Sequence, residues 1–255
     1  MKISIITVCF NSSKTIGHTL HSVRSQTHTD IEHIVIDGGS TDTTMEVVNT
    51  EGQHVAIILS ERDDGIYDAM NKGIALATGD VIGFINADDF YASPTVLASV
   101  NEALQKSGVD SCYGDLCYVS QSNPTRVIRY WRSKDFVPGA FAAGWCPPHP
   151  TFFVRRSVYE RLGGFDLSFK FAADFELMAR YLEAIRITSC YIPEVLVKMR
   201  LGGTTNSSLK NIFLQNAEIR RALSKNGLVS SLFIFLLNKM RIRIIQFFSP
   251  APDAL

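Results

Sequence analysis

Asn86, Asp88 and Asp89 close the apolar run Val81–Ile85 in the stretch VIGFINADDF. Oxygen donors set where a buried strand ends can hold a divalent cation and, through it, a phosphate. The same residue types also make ordinary turns, and Ser93-Pro94 ahead of TVLASVNEAL already starts a helix, so this stretch alone leaves the two readings level. Two further strand ends carry acids: Asp37 in DGGSTD, and Asp63 with Asp64 in ERDDG. Taken singly, each is more often a loop or capping residue than a ligand. Gathered round one crevice of a parallel sheet, they favour a metal-bridged nucleotide, because an acidic cleft holds a diphosphate only through a cation. Neither G-x-G-x-x-G nor G-x-x-x-x-G-K-[ST] occurs in the chain, so no glycine cradle is available for the phosphates.

Elements that would position these acids follow one plan. Ile3 to Phe10 is apolar and β-branched, a buried strand, and NSSKT supplies capping residues for a helix to about Gln26. Ile31 to Ile36 repeats the plan with the helix-like TTMEVVNTEG. A third round is VAIILS with IYDAMNKGIALATG, whose Ile66, Met70, Ile74 and Ala77 share a helical face. Such alternation requires a parallel sheet with right-handed crossovers, so residues 1 to about 110 read as an open, Rossmann-like α/β sheet with flanking helices.

After Asp110 the pattern loosens. CYGDLCYVS alternates like a strand, whereas RVIRYWRSKDFVPGAFAAGWCPPHP mixes aromatics, glycine and proline like an irregular ligand-facing segment. TFFVRRSVYERLGGF reads as strand, short helix and turn; AADFELMARYLEAI is an amphipathic helix; TSCYIPEVLVKMRLGG is a strand ending at Met199 and Arg200.

Lysine plus arginine and aspartate plus glutamate number 25 each, so the overall charge points to no nucleic-acid partner. The five cysteines are scattered, and CYGDLC lacks a second pair or a histidine cluster to complete a zinc site. Free thiols, and an N-terminus too short in its apolar run for a signal peptide, imply a cytoplasmic body.

From residue 206 the composition changes: a polar helix through about Lys225 leads to GLVSSLFIFLLNKMRIRIIQFFS. Val229, Phe233, Leu236, Leu237, Met240, Ile244 and Phe247 fall at helical spacing, with Lys239, Arg241 and Arg243 outside that stripe. Leu232 to Leu237 is far shorter than the ~20 apolar residues that span a bilayer. A basic amphipathic helix of this kind suits the interface of an anionic membrane, with packing on protein as the alternative.

ISIITVCFN, IVIDGGSTDTT, DDGIYDAMNKGIALATGDVIGFINADD, HPTFFVRR, LGGFD and AADFEL, in this order, resemble glycosyltransferase family 2 and its bacterial branch that builds colanic acid-like and other surface polysaccharides. The likeness covers about residues 1 to 205. It implies the GT-A fold, a nucleotide-sugar donor, a divalent metal (Mg²⁺ or Mn²⁺) and inversion at the anomeric carbon. Within it fall two halves, about 1–110 for the nucleotide sugar and about 111–205 for the acceptor, and the change in composition sets off a C-terminal helical segment over 206–255.

Residue by residue, the resemblance gives Asp37 to the base and ribose, with Gly38 where many relatives carry a second acid. Asp64, Gly65 and Asn71 match the segment that closes over the nucleotide. Asn86, Ala87 and Asp88 fall on the D-x-D element, which makes Asp88 the metal ligand. Asn86 supplies a neutral amide for a ribose or a metal-bound water. Asp174 matches the catalytic base and Glu176 competes with it. The two lie roughly 200° apart on a helix, so they cannot both face one site. His149 matches a histidine near the acceptor or the metal-diphosphate. Arg200, with Gly202 and Gly203, would neutralise the leaving diphosphate, and Trp145 or Trp131 would stack on sugar rings or fill the core.

The expected activity is inverting transfer from a nucleotide sugar, a UDP-sugar first, to a polyprenyl-diphosphate-linked saccharide at the inner face of the plasma membrane. A sugar nucleotidyltransferase, or a non-catalytic partner subunit with the same fold, are the alternatives. The first of these wants a glycine-rich basic loop after strand one, which VCFNSSKT is not.

Overall fold

The computed structural model describes residues 1–202, 209–228 and 231–248. Four parallel strands form its first half: β1 (Ile3–Cys9), β2 (Ile31–Asp37), β3 (Val55–Ser60) and β4 (Val81–Asn86). β1 lies between β2 and β4, buried along its whole length, and β3 extends the sheet beyond β2. The crossovers are α1 (Ile16–Arg24), α2 (Thr44–Glu51) and α3 (Ile66–Leu76). Register puts Cys9 opposite Asp37, Asp37 opposite Ser60 and Val8 opposite Asn86, so the acid-bearing strand ends share one edge. On α3, Met70 and Ala77 are buried as the spacing predicts, while Ile66, at the helix's open end, is 47% exposed.

Beyond β4 the sheet becomes mixed. β5 (Phe90–Tyr91) and α4 (Val96–Ser107) follow the Asp88–Asp89 turn, then β6 (Ser111–Val119), β7 (Val127–Trp131), β8 (Phe153–Arg155), α5 (Arg156–Leu162), α6 (Ala173–Met178) and β9 (Ser189–Arg200). The order is β3-β2-β1-β4-β8-β6-β9-β5, with β7 added on β6. β8 runs antiparallel to β4 and β6, and β9 runs parallel to β6. β5 folds back antiparallel on β9, pairing Phe90 with Lys198, which carries Arg200 to the Asp88–Asp89 turn.

Two elements differ from the sequence reading. β7 is a strand inside the segment expected to be irregular. Its hydrogen-bond partner is β6, which the sequence does not reveal. The helix expected over AADFELMARYLEAI starts as α6 and widens at Ala179–Ile185 into a π-helix. Buried acids hold the segment after β7: Asp115 accepts from Ser133 N (2.7 Å), Tyr191 Oη (2.8 Å) and Tyr130 Oη, and Glu183 accepts from Gly139 N (2.5 Å). At the other end of the sheet, Glu32 accepts from Lys2 Nζ (2.6 Å), Ser4 Oγ (2.6 Å) and Thr78 N (2.7 Å) and Oγ1 (2.5 Å). Burial works to raise its pKa, but these bonds prevail and hold the carboxyl at about 2.

The C-terminal helices are α7 (Leu209–Lys225) and α8 (Leu232–Phe248). α7 buries Ile219, Ala222 and Leu223 in the core that contains α6. α8 lies against β7 and plugs Phe235 into the same core, with Ile242 packed beside it. Leu237, Met240, Ile244 and Phe247 of the predicted apolar stripe, together with Ile245 and Phe248, are left exposed. Gly203, Val229 and the side chains of Phe233 and Leu236 lie outside the described residues. Among the described residues no helix is long and apolar enough to cross a membrane.

Candidate active site

The end of β4 builds an acid corner. Asp89 is fully buried: its Oδ2 accepts from Asn86 Nδ2 (3.1 Å) and its Oδ1 from Arg200 N (3.2 Å). The Arg200 guanidinium donates to the Asp88 carbonyl, meets His18 Nδ1 at 2.7 Å and lies 5.0 Å from the Phe90 ring. Arg200 thus fastens the turn from below with its charge against both acids. Burial nevertheless pushes both carboxyls above their ordinary range, and for Asp89 the neighbouring Asp88 adds to the shift. Such a pair is relieved by a cation.

The donor set fits one. Asn86 Oδ1 is buried with no hydrogen-bond partner, an oxygen left over two residues before the half-buried Asp88. Among the described residues no cluster of three or more His, Cys, Asp or Glu is arranged as a metal site. This corner therefore suits an ion that takes a few oxygens from protein and the rest from phosphate and water, as Mg²⁺ and Mn²⁺ do.

Along the edge, Asp37 is also wholly buried and fully engaged. It accepts from Gly39 N (3.2 Å), Ser40 N (3.0 Å), Ser40 Oγ (2.5 Å) and Ser60 Oγ (2.7 Å). Burial raises its pKa, but these bonds outweigh it and the carboxyl sits below its ordinary value. The carboxylate therefore shapes the turn that faces the crevice. Gly38 has a local cause: a Cβ there would lie 2.5 Å from Asp63 Oδ2, so an acid from the neighbouring strand end fills the space. Asp63 also caps Gly65 N (2.9 Å). Asp64 and Gly65 are exposed at the mouth of α3, Gly65 with φ +116° that favours glycine. Asn71 pairs both ways with the Phe165 backbone, Nδ2 to O at 2.9 Å and N to Oδ1 at 2.8 Å, which ties α3 to the LGGFD turn.

Asp174 stands in the first turn of α6, half-buried, with Tyr67 Oη donating to Oδ1 at 3.0 Å. Tyr67 stacks on Phe165 (5.5 Å), and Phe165 meets Phe84 (5.4 Å) and His149 (5.5 Å) edge-on. Phe84 precedes Asn86 by two residues on the same face of β4, so the aromatic group joins the Asp174 side to the acid corner. His149 is buried against Phe84, with Nε2 unpartnered. Burial lowers its pKa despite the nearby Asp174, which keeps the ring neutral. Glu176 points elsewhere. It is fully buried and bound to Arg180 (3.1 Å) and Asn226 (3.3 Å). Trp145 is buried edge-on to Tyr113, and Trp131 stacks on Tyr118.

Tyr67 and Glu218, which the sequence reading did not single out, and Lys239, which it named only as a cation of the tail, complete the surroundings. Tyr67 precedes Asn71 by one helical turn, a spacing that could have flagged it. Glu218 of α7 accepts from the backbone N of Lys170 (3.0 Å), Phe171 (2.7 Å) and Ala172 (3.0 Å), immediately before Asp174. Lys239 of α8 lies in the same part of the molecule: burial lowers its pKa, and Cys146 and Asp174 partly oppose that shift. No local signal places Glu218 or Lys239 at the site, because only folding brings them near.

The model of the family described as Glycosyl transferase family 2 matches residues 4–172. An uncharacterized glycosyltransferase of Mycobacterium tuberculosis is 37% identical over 184 residues, covering 70% of this chain and 68% of the relative. A PGL/p-HBAD biosynthesis glycosyltransferase of Mycobacterium bovis is 30% identical over 217 residues, 83% and 82% of the two chains. Among solved structures, S. aureus TarS 1-349 in complex with UDP-GlcNAc superposes with a TM-score of 0.67 at 15% identity, over 97% of this chain and 75% of that one. The mannosyltransferase PcManGT of Pyrobaculum calidifontis, in complex with GDP-Man and Mn2+, gives 0.63 at 17% identity over 99% and 77%. These two likenesses concern the fold, which is GT-A. The finer likeness to colanic acid enzymes is not reflected in these relatives.

Proposed function

The chain belongs to glycosyl transferase family 2 and is a glycosyltransferase, and on that premise we propose that it is an inverting enzyme that moves a sugar from a nucleotide-sugar donor to a lipid-linked saccharide. The observation that carries the reading is Asp174. A carboxylate held by Tyr67 at 3.0 Å and joined through Phe165 and Phe84 to an acid corner is what base-assisted displacement needs.

In this reading Asp174 accepts the proton of the acceptor hydroxyl while that oxygen attacks the anomeric carbon. The carbon–oxygen bond to the nucleoside diphosphate breaks on the opposite face, and its electron pair leaves with the diphosphate. Mg²⁺ or Mn²⁺, held by Asp88 and Asn86 Oδ1, would supply a Lewis acid for the departing charge. Arg200 keeps the Asp88 turn in place and adds its own positive charge. His149 offers an unpartnered Nε2 to the acceptor or leaving group. The Asp37 turn, Asp64, Gly65 and Asn71 would bound the nucleotide. Residues 1–110 then serve the donor and 111–205 the acceptor, with 206–255 as a membrane-associating segment.

A UDP-sugar is the first donor to test, since relatives in fold bind UDP and UDP-GlcNAc; GDP-Man with Mn2+ in another makes a GDP-sugar the second. The polyprenyl-diphosphate acceptor and a cell-surface polysaccharide pathway draw support from the exposed apolar side of α8, which fits peripheral attachment at the cytoplasmic face. Purified protein assayed for nucleoside diphosphate release against a panel of nucleotide sugars with Mg²⁺ or Mn²⁺ tests the whole. Asp174→Asn and Asp88→Ala should each lower turnover by about 100-fold or more. Full activity in both variants overturns the assignment.

A further inference from the structure

The inward side of α8 carries a cation that structural packing does not require. The helix backbone rests on Gly144, where a Cβ would lie 2.8 Å from Phe235 O and 3.4 Å from Lys239 N. This close approach fixes Lys239 over the segment that ends at Cys146. Its Nζ donates to Asn216 Oδ1 at 2.7 Å and lies 5.9 Å from the Phe235 ring. Among the described residues, no carboxylate lies within ion-pair distance of it. A lysine so placed loses hydration with no carboxylate in direct contact, and the more distant Asp174 offsets only part of that loss, an arrangement that an anionic ligand relieves.

A second cation lies further along α8, near Phe247. Arg129 of β7 is 6% exposed, its guanidinium 3.7 Å above Tyr118 and 5.6 Å from Phe247, and its Nε is buried with no hydrogen-bond partner. Arg243, one turn after Lys239, is near enough to act on both charges. The α8 stretch Leu232–Phe248 contains no acid. Meanwhile Leu237, Met240, Ile244, Ile245, Phe247 and Phe248 of that helix are exposed apolar residues.

We propose that Lys239 binds the phosphate of the lipid-linked acceptor, so that one helix rests on the membrane and seats the acceptor's charged head near Asp174. This rests on the reading of the acceptor as a lipid-linked diphosphate. The donor's diphosphate belongs at the Asp88 corner and arrives from solution, so it needs no lipid-facing wall. An acceptor held in a bilayer does.

The test uses the full chain and three probes: phosphatidylcholine vesicles carrying a polyprenyl diphosphate, vesicles matched in surface charge with phosphatidylglycerol, and free inorganic pyrophosphate as competitor. The wild-type protein should prefer the first vesicles and lose that preference to pyrophosphate. Lys239→Gln should weaken binding to them by about tenfold, as for loss of one charge-assisted contact, and leave phosphatidylglycerol binding within about twofold. Lys239→Met, which keeps an unbranched apolar stem of similar length, repeats the test with the fold protected, and Lys239→Arg should retain most of the preference. Arg241→Gln, on an exposed residue, should weaken both vesicle types alike. Equal loss on both vesicles in the Lys239 variants overturns the proposal in favour of general attraction to anionic lipid. If wild type and variants share the preference, only the Lys239 assignment falls. If wild type shows none, the lipid-linked acceptor falls with it.

Discussion

Removing the Tyr67 hydroxyl isolates the contact on which the proposed base depends. Tyr67→Phe leaves the ring in place against Phe165 and deletes one neutral donor from a carboxylate at 3.0 Å. Hydrogen bonds to charged groups are worth about 1.5–3 kcal/mol, but Asp174 is half-exposed and water will replace part of the bond. About 1.5 kcal/mol of lost orientation is the working figure, which lowers kcat by roughly tenfold. KM for the donor should move little, because the donor's corner lies at Asn86 and Asp88. Steady-state release of nucleoside diphosphate gives both constants, and urea unfolding checks that stability falls by no more than ~1 kcal/mol. If Tyr67 acts through Asp174, Tyr67→Phe should add almost nothing on an Asp174→Asn background. An unchanged kcat in the single variant, or full additivity in the double, refutes the reasoning.

Three further expectations follow from other parts of the molecule. Asn86→Asp sets a carboxylate where the amide now donates to Asp89 at 3.1 Å, so the variant should melt several degrees lower in EDTA and recover with Mn²⁺. Melting that ignores the metal would argue against a cation at this corner. Glu32, held at about 2, contributes stability that is complete above its unfolded pKa near 4.3 and is lost as pH falls through that value toward 2. Its share is on the order of 3 kcal/mol, so urea midpoints of Glu32→Gln should fall less steeply than wild type between about pH 5 and pH 2. On the outer side of α8, Met240→Glu with Ile244→Glu should reduce sedimentation with anionic vesicles by about 100-fold, from the apolar burial lost; undiminished binding would end the peripheral-attachment idea.

What the sequence discloses is governed by range. The four parallel strands and their acid ends were legible because each strand, turn and helix is written in consecutive residues, from ISIITVC to VIGFIN. β7 was not, since VIRYW becomes a strand only through pairing with β6, and its glycine- and proline-rich neighbours mask it. Spacing in the tail gives a helix, which α8 is, but which side faces out depends on Gly144 offering a seat for the backbone of α8. Asp174 was named from motif likeness, while its partner Tyr67 and its support Glu218 come from distant helices. Asp37 illustrates the reverse: the acid is conspicuous in DGGSTD, yet only the folded turn reveals that its oxygens are spent on Ser40, Ser60 and the backbone.

Glu218 has a practical consequence for anyone recombining such enzymes. Its carboxylate collects three backbone N–H groups just ahead of Asp174, although it belongs to α7. A hybrid protein spliced between the LGGFD turn and α7 would inherit the proposed base from one parent and its anchor from the other. A crossover placed on the composition boundary near 205 would make that division, so the LGGFD turn and α7 are best taken from the same parent.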